Sequence, residues 1–292
     1  MRTELIRPFP GAITNWTYVP SRPTWRDTTN RVMARLKRQA SPDAELLKPP
    51  KGHGRWLLYF LFLPNGQLTI QHLFTLERLA AEDARLMIVC SCPPGHPVLA
   101  NLMERCSALC WKAINGFDFS AYAFGLTELA HHVPGSDVLV LNDSMLGPFA
   151  SLCPFIEQAP WSLSGFTANS QLENHLQSYA FILKGVDLGV VNYLSAAMST
   201  KWSYNRIGQV ILLQETRLAR VAQKNMSVGA FWYTDGSRYQ DLCLNCPEQM
   251  LDAGFPLLKR SLFGKFAGVF QSTTAMQDLL RRIGHPEMVD GA

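Results

Sequence analysis

Ala113-Ile-Asn-Gly-Phe-Asp-Phe-Ser-Ala-Tyr122 and Ser136-Asp-Val-Leu-Val-Leu-Asn-Asp-Ser-Met-Leu-Gly-Pro148 read as two polar loops of one nucleotide-binding α/β half. In the second, an apolar run over 138–141 passes directly into Asn142, Asp143 and Ser144 and then breaks at Gly147-Pro148. The polar cluster is therefore expected at the carboxyl end of a strand, where open α/β sheets bind ligands. A carboxylate there can hold a hard divalent cation, Mg or Mn, which in turn neutralises a departing diphosphate. Asp143 is the metal candidate, with Asn142 and Ser144 beside it. The competing reading is that Asn142-Asp143-Ser144 starts a turn or caps a helix.

Working outward, hydrophobic patterning predicts a buried strand at 56–63, a helix at 68–84, a strand at 86–92, a helix at 98–109, a short strand at 111–114 and a helix at 120–131. Strands that alternate with helices indicate a mostly parallel sheet. The segment before Trp56, with Pro8, Pro10, Pro20, Pro23, Pro42, Pro49 and Pro50, reads as an irregular arm over 1–54, followed by one domain over 55–285.

Asn115-Gly-Phe-Asp-Phe-Ser-Ala-Tyr122, Leu139-Val-Leu-Asn-Asp-Ser-Met-Leu-Gly-Pro148, Gly165-Phe-Thr167, His175-Leu-Gln-Ser-Tyr179 and Gly254-Phe-Pro-Leu-Leu-Lys259 occur together in an order that resembles the rhamnan synthesis protein F family. The resemblance implies a GT-A-like, Rossmann-type nucleotide-binding sheet flanked by helices. It also implies a glycosyltransferase that moves a sugar, often rhamnose, from a nucleoside-diphosphate donor to a growing bacterial cell-surface polysaccharide such as a rhamnan or O-antigen. Asn115 and Asp118 would then touch the donor, although Asp118 alone reads equally as a helix cap. His175 would meet the metal or a diphosphate oxygen, and Gln177 and Ser178 would bind sugar hydroxyls. Lys259 would face the leaving diphosphate. Glu215, in Ile211-Leu-Leu-Gln-Glu215, leads as the general base for inverting transfer, with Glu173 as its rival; either is otherwise an ordinary surface residue. Two departures stand out: one acid at the strand end where many such enzymes carry Asp-x-Asp, and Ala123 where the family tends to a basic residue.

Length and composition agree with a soluble enzyme that buries one large core or one core plus an appendage: 292 residues, 47% hydrophobic and 17% charged. The strongest apolar run, at 56–63, is too short to span a bilayer and stops at Pro64-Asn65-Gly66. The first residues lack the apolar core of a secretory signal. The seven cysteines, several of them inside apolar patterns (Cys90, Cys92, Cys106 and Cys110), read as reduced thiols, which points to the cytoplasm. Cys243-Leu-Asn-Cys246 has zinc-knuckle spacing but no second pair, and it reads as structural.

Residues 1–52 hold ten Lys or Arg against four Asp or Glu, while the remainder is near neutral at seventeen against nineteen. The surplus centres on Arg26, Arg31, Arg35, Lys37 and Arg38, in a basic amphipathic segment with Val32, Met33 and Leu36. Such a helix either contacts an anionic membrane face or a lipid-linked glycan acceptor, or simply packs on the core. It lacks the interleaved aromatics of a nucleic-acid surface. Trp202, Tyr204, Trp232 and Tyr233 either stack on sugars or pack in the core. The single acid also leaves open a non-catalytic glycan- or partner-binding member of the fold, and a sugar-phosphate transferase is a third reading. No Gly-x-Gly-x-x-Gly or P-loop motif is present.

Overall fold

The computed structural model describes residues 5–22, 24–236 and 239–286. Seven strands form the centre of a ten-stranded sheet: β1 (Arg55–Phe62), β2 (Arg85–Ser91), β3 (Ala108–Lys112), β4 (Ser136–Asn142), β5 (Leu163–Asn169), β6 (Ala180–Val186) and β7 (Val228–Thr234). Their spatial order is β3-β2-β1-β4-β6-β5-β7. β3, β2, β1 and β4 are parallel, as are β5 and β7, whereas β6 runs against both β4 and β5. The first four strands thus follow the doubly wound pattern, and the order reverses between β1 and β4.

β1, Arg-Trp-Leu-Leu-Tyr-Phe-Leu-Phe, is buried on both sides, as an internal parallel strand must be. Trp56, Leu58 and Phe60 pack with Met87, Val89 and the helix α3 residues Phe119, Tyr122 and Leu126; Leu57, Tyr59 and Leu61 pack on the other face with Leu76, Leu79 and Leu102 of α1 and α2. These helices are α1 (Ile70–Ala80), α2 (Val98–Arg105) and α3 (Phe117–His132). Thr69 caps α1 by accepting from the His72 N–H, and the His72 ring returns the bond to the Thr69 N–H.

The helix predicted over 98–109 ends at Arg105, because Cys106 is extended and the Ser107 N–H bonds to Leu86 O at 2.7 Å, carrying the chain into β3. An apolar run this short satisfies both periods, and pairing beside β2 decides it.

The segment read as an irregular arm contributes two sheet edges. Ile13–Thr17 pairs antiparallel with β7, and Ala44–Lys48 pairs antiparallel with β3. Its described prolines lie outside these two strands, where no ladder donor is needed, and Pro49 directly follows the second. Between the two edges, the helix Trp25–Arg35 packs against Ile211–Glu215. Pro23 and the Arg26 side chain lie outside the described residues. The seven cysteines are buried, and none forms a disulfide among the described residues. Among the described residues no helix is long and apolar enough to cross a membrane.

Gly125 faces the sheet from α3, and a Cβ there would lie 2.6 Å from Leu58 Cδ1 and 3.0 Å from Val89 Cγ2, both in fully buried side chains. Gly125→Val is expected to destabilise the fold by about 1–3 kcal/mol through overpacking. Urea unfolding checks this: the midpoint should fall with an unchanged slope.

Candidate functional site

At the reversal between β1 and β4 the two strands end side by side, and the residue after β4 is Asp143. Its N–H donates to Phe60 O at 3.1 Å, and its carboxylate Oδ2 accepts the Phe62 N–H at 3.0 Å. The Asp143 carboxylate is therefore tied by backbone to the end of β1. Asn142 Oδ1 accepts from the Ser144 N–H at 3.1 Å and from Ser144 Oγ at 2.5 Å, while its Nδ2 donates to Asp118 Oδ2 at 3.0 Å. These bonds fasten the two polar loops together. A cleft of about 420 Å³ opens over them, lined by Asn115, Asp118, Asn142, Asp143 and Ser144 together with Phe60, Phe62, Ile114, Gly116, Phe117, Asn205 and Ile207. Five of the sequence-predicted residues thus share one cavity. A larger cavity of about 550 Å³ near Trp161 has no titratable lining residue among the described residues.

The first loop enters α3 through two left-handed residues, Gly116 at φ 84° and Phe117 at φ 50°. A side chain at Gly116 would meet Ser120 Oγ at 2.7 Å and Pro42 at 2.9 Å, and a bulky residue with positive φ is a strained conformation of the kind found at ligand sites. Because α3 starts at Phe117, Asp118 is not its cap; its Oδ1 accepts the Phe119 N–H at 3.0 Å and its other oxygen faces Asn142. Beneath the loop, the buried Lys112 donates to Ala113 O at 2.8 Å and Asn115 O at 2.5 Å, and burial lowers its pKa to about 8. Sequence reading missed this lysine, although a Lys closing the apolar strand Leu109-Cys-Trp-Lys112 was its signal. Ala123 is 2% exposed in the core and is not among the residues that line the cleft.

Asp118 and Asp143 both have pKa values raised to about 6. Burial is the main cause for each; Glu215 adds to the rise at Asp118, while the Phe62 N–H and the Arg260 charge oppose it at Asp143. Arg260 is held in place by its N–H bond to Ser144 O at 2.9 Å, and its guanidinium lies 3.3 Å from His72 Nε2. Sequence reading took its neighbour Lys259 as the diphosphate cation. Lys259 instead donates to Asp241 Oδ2 at 2.7 Å, and Gln177 Nε2 donates to the same oxygen at 2.8 Å. Burial alone would raise Asp241 and lower Lys259, but the pair overrides it, and each keeps its charge. Asp241, which also caps the following short helix, had no legible partner in the sequence.

Glu215 ends a π-helical turn, Ile211–Glu215, a feature frequent at functional sites. Its Oε2 accepts from the Ser178 N–H at 3.0 Å and Ser178 Oγ at 2.6 Å, and Ser178 O accepts from Tyr122 OH at 3.1 Å. Ser178 thus links Glu215 to the α3 side of the cleft. Glu173, the rival base, is not on the surface: it is wholly buried and ion-paired with both Arg31 and Arg220. His175 is buried with Nδ1 2.7 Å from Glu173 O, and the structure does not bring it to the Asp143 cluster. Tyr204 and Trp232 are core residues, Tyr233 stacks on Trp16, and Trp202 lies under Arg38.

Among the described residues no three His, Cys, Asp or Glu side chains are grouped to hold a metal. One carboxylate oxygen beside amide and hydroxyl oxygens fits an ion whose shell a substrate phosphate completes, the usual manner of Mg.

No protein-family model matches the chain, and no curated protein matches it. Among solved structures it is similar to HddC from Yersinia pseudotuberculosis, at 9% identity over 60% of this chain and 89% of that one with a TM-score of 0.38. It is also similar to 4-diphosphocytidyl-2C-methyl-D-erythritol synthase from Anaerococcus prevotii DSM 20548, at 10% identity over 68% and 95% with a TM-score of 0.37. Superpositions this loose carry no weight for fold or chemistry, and the site is read from its own geometry.

A carboxyl whose folded pKa is raised binds its proton more tightly in the native state, so its cost is absent below about pH 4 and complete above about pH 6. Asp143→Asn keeps an acceptor for the Phe62 N–H and removes that cost. The variant should be more stable than the native protein by about 1–3 kcal/mol at pH 7.5 and equally stable at pH 4. Paired denaturant titrations check this; equal stability at both pH values would show that the carboxylate is compensated.

Proposed function

We propose that the chain is a GT-A-like glycosyltransferase that moves a sugar from a nucleoside-diphosphate donor to a growing cell-surface polysaccharide. The observation that carries this reading is the gathering of Asn115, Asp118, Asn142, Asp143 and Ser144 in one cleft at the point where the strand order reverses. Ile114, Phe62 and Phe117 supply apolar surface for a base, and the polar loops face the ribose and diphosphate. Asp143 would hold Mg or Mn through its free oxygen, with Asn142 and Ser144 nearby; the ion would offset negative charge on the diphosphate. Arg260 adds fixed positive charge beside Asp143. Rhamnose as the sugar, and a rhamnan or O-antigen as the product, rest on the motif resemblance.

Glu215 takes the proton of the acceptor hydroxyl in this reading. Ser178 fixes Oε2 with two hydrogen bonds, and Oε1 has no hydrogen bond from the described residues. As the acceptor oxygen bonds to the sugar's anomeric carbon, the bond from that carbon to the donor phosphate breaks and the nucleoside diphosphate leaves with the electron pair. Lys259 and Gln177 position the neighbouring wall through Asp241, and His175 supports the hairpin beside them. The acceptor is a glycan or a lipid-linked glycan, and the reaction takes place in the cytoplasm at the inner membrane face.

Release of nucleoside diphosphate from a panel of nucleotide sugars, with acceptor extract, Mg or Mn, or chelator, tests the proposal. One donor should turn over, with activity falling as acid protonates Asp143 and the midpoint moving below about 6 as the metal concentration is raised. Glu215→Gln should lower kcat by about 10²–10⁴ with little change in KM. Asp143→Ala and chelator should both abolish turnover. Donor binding without turnover under every condition would favour the non-catalytic reading, which the single strand-end acid supports.

A further inference from the structure

The helix Trp25–Arg35 and the helix Thr216–Ala222 enclose a second cavity of about 390 Å³, lined by Thr28, Arg31, Val32, Arg35, Arg217 and Arg220. Four of the six lining residues are arginines. The carboxylate that pairs with them among the described residues is the buried Glu173, which takes Arg31 on one oxygen and Arg220 on the other. Among the described residues, four guanidinium charges thus face one carboxylate. Among the same residues, the hydrogen bonds of the Arg217 side chain are long, 3.3 Å to Ala196 O and 3.4 Å to Leu213 O. Burial, and then the charges of Arg35 and Arg31, make its cation harder to hold.

The donors are also unfinished. Arg31 is 7% exposed, and its Nε has no hydrogen-bond partner among the described residues; the same holds for the buried Nε of Arg220. An unsatisfied buried donor costs about 1–3 kcal/mol, and nearly all such donors in folded proteins find a partner. Convergent guanidinium forks with spare N–H groups match tetrahedral oxyanions, which accept two bonds from one arginine.

We infer that this arginine-lined cavity is a second binding site, apart from the cleft at Asp143, for a phosphate or diphosphate group. The bound oxyanion takes guanidinium N–H groups that face the cavity and neutralises Arg35 and Arg217. Its wall is continuous with the candidate site: Thr216, the residue after Glu215, accepts from Arg31 at 3.0 Å. The phosphate has two sources of equal chemistry, a soluble phosphate compound or a lipid headgroup. Val32, Met33 and Leu36, 55%, 58% and 77% exposed, give the rim an apolar lip suited to the second.

Calorimetric titration with inorganic phosphate and pyrophosphate, alongside co-sedimentation with phosphatidylcholine vesicles with and without phosphatidic acid, tests the site. Arg35→Ala, at an exposed helix position, and Arg217→Ala are compared with Asp143→Ala, after melting curves confirm folding. Pyrophosphate binding weakened about tenfold or more by each arginine variant, and unchanged in Asp143→Ala, supports the site with a soluble ligand. Retention on phosphatidic acid vesicles alone, lost in the same variants, supports it with a lipid headgroup. Absence of both kinds of binding, or binding that both arginine variants leave intact, overturns it.

Discussion

Asp143 is a carboxylate held between the ends of two parallel strands by backbone hydrogen bonds, with no ion pair among the described residues. The rest of the candidate site depends on that placement. β1 and β4 are hydrogen-bonded neighbours, but the chain leaves them toward opposite ends of the sheet, so the space beyond their carboxyl ends stays open. Asn142 then ties the Asp143 loop to Asp118, and Lys112 props the loop before Asp118 from below. Two partly desolvated carboxyls with raised pKa values are costly to keep, and such cost is characteristic of positions selected for binding or chemistry.

The three cations near the cleft differ in what they can still do. Lys259 is committed to Asp241 and Lys112 to backbone carbonyls, so both shape the walls. Arg260 stands beside Asp143 with no carboxylate of its own among the described residues, which makes it the cation best able to answer new negative charge. Across the π-helical turn, Glu215 meets Ser178 while the next residue, Thr216, meets Arg31. One helical segment therefore connects the candidate base to the arginine cavity.

The chain's fold was legible where local pattern and tertiary demand agree. The unbroken apolar run of β1, stopped at Pro64-Asn65-Gly66, has the length of a doubly buried strand, and the strand-to-polar break at Asn142-Asp143-Ser144 coincides with the end of its neighbour in the sheet. Legibility failed where partners are distant in sequence. The Pro-rich first segment looks irregular because each of its strands is short and pairs with a strand far along the chain. Glu173 carries no local sign of Arg31 and Arg220, and Lys259 none of Asp241, eighteen residues away. The reversed strand β6 was equally hidden, since an apolar strand reads the same in either direction. Asn115, Asp118, Asn142, Asp143 and Ser144 could be grouped from sequence because each sits at the end of an element, where sequence punctuation is strongest, and the structure brings them to one cleft.

In the proposed function a nucleoside diphosphate occupies the cleft where the strand order reverses. Hydrogen–deuterium exchange with and without a nucleoside-diphosphate sugar measures this occupancy residue by residue. Exchange should slow at 60–62, 114–119 and 142–145, with β2 and β3 unchanged at their amino ends. Protection confined to other surfaces, with these three segments exchanging as in the free protein, would contradict it.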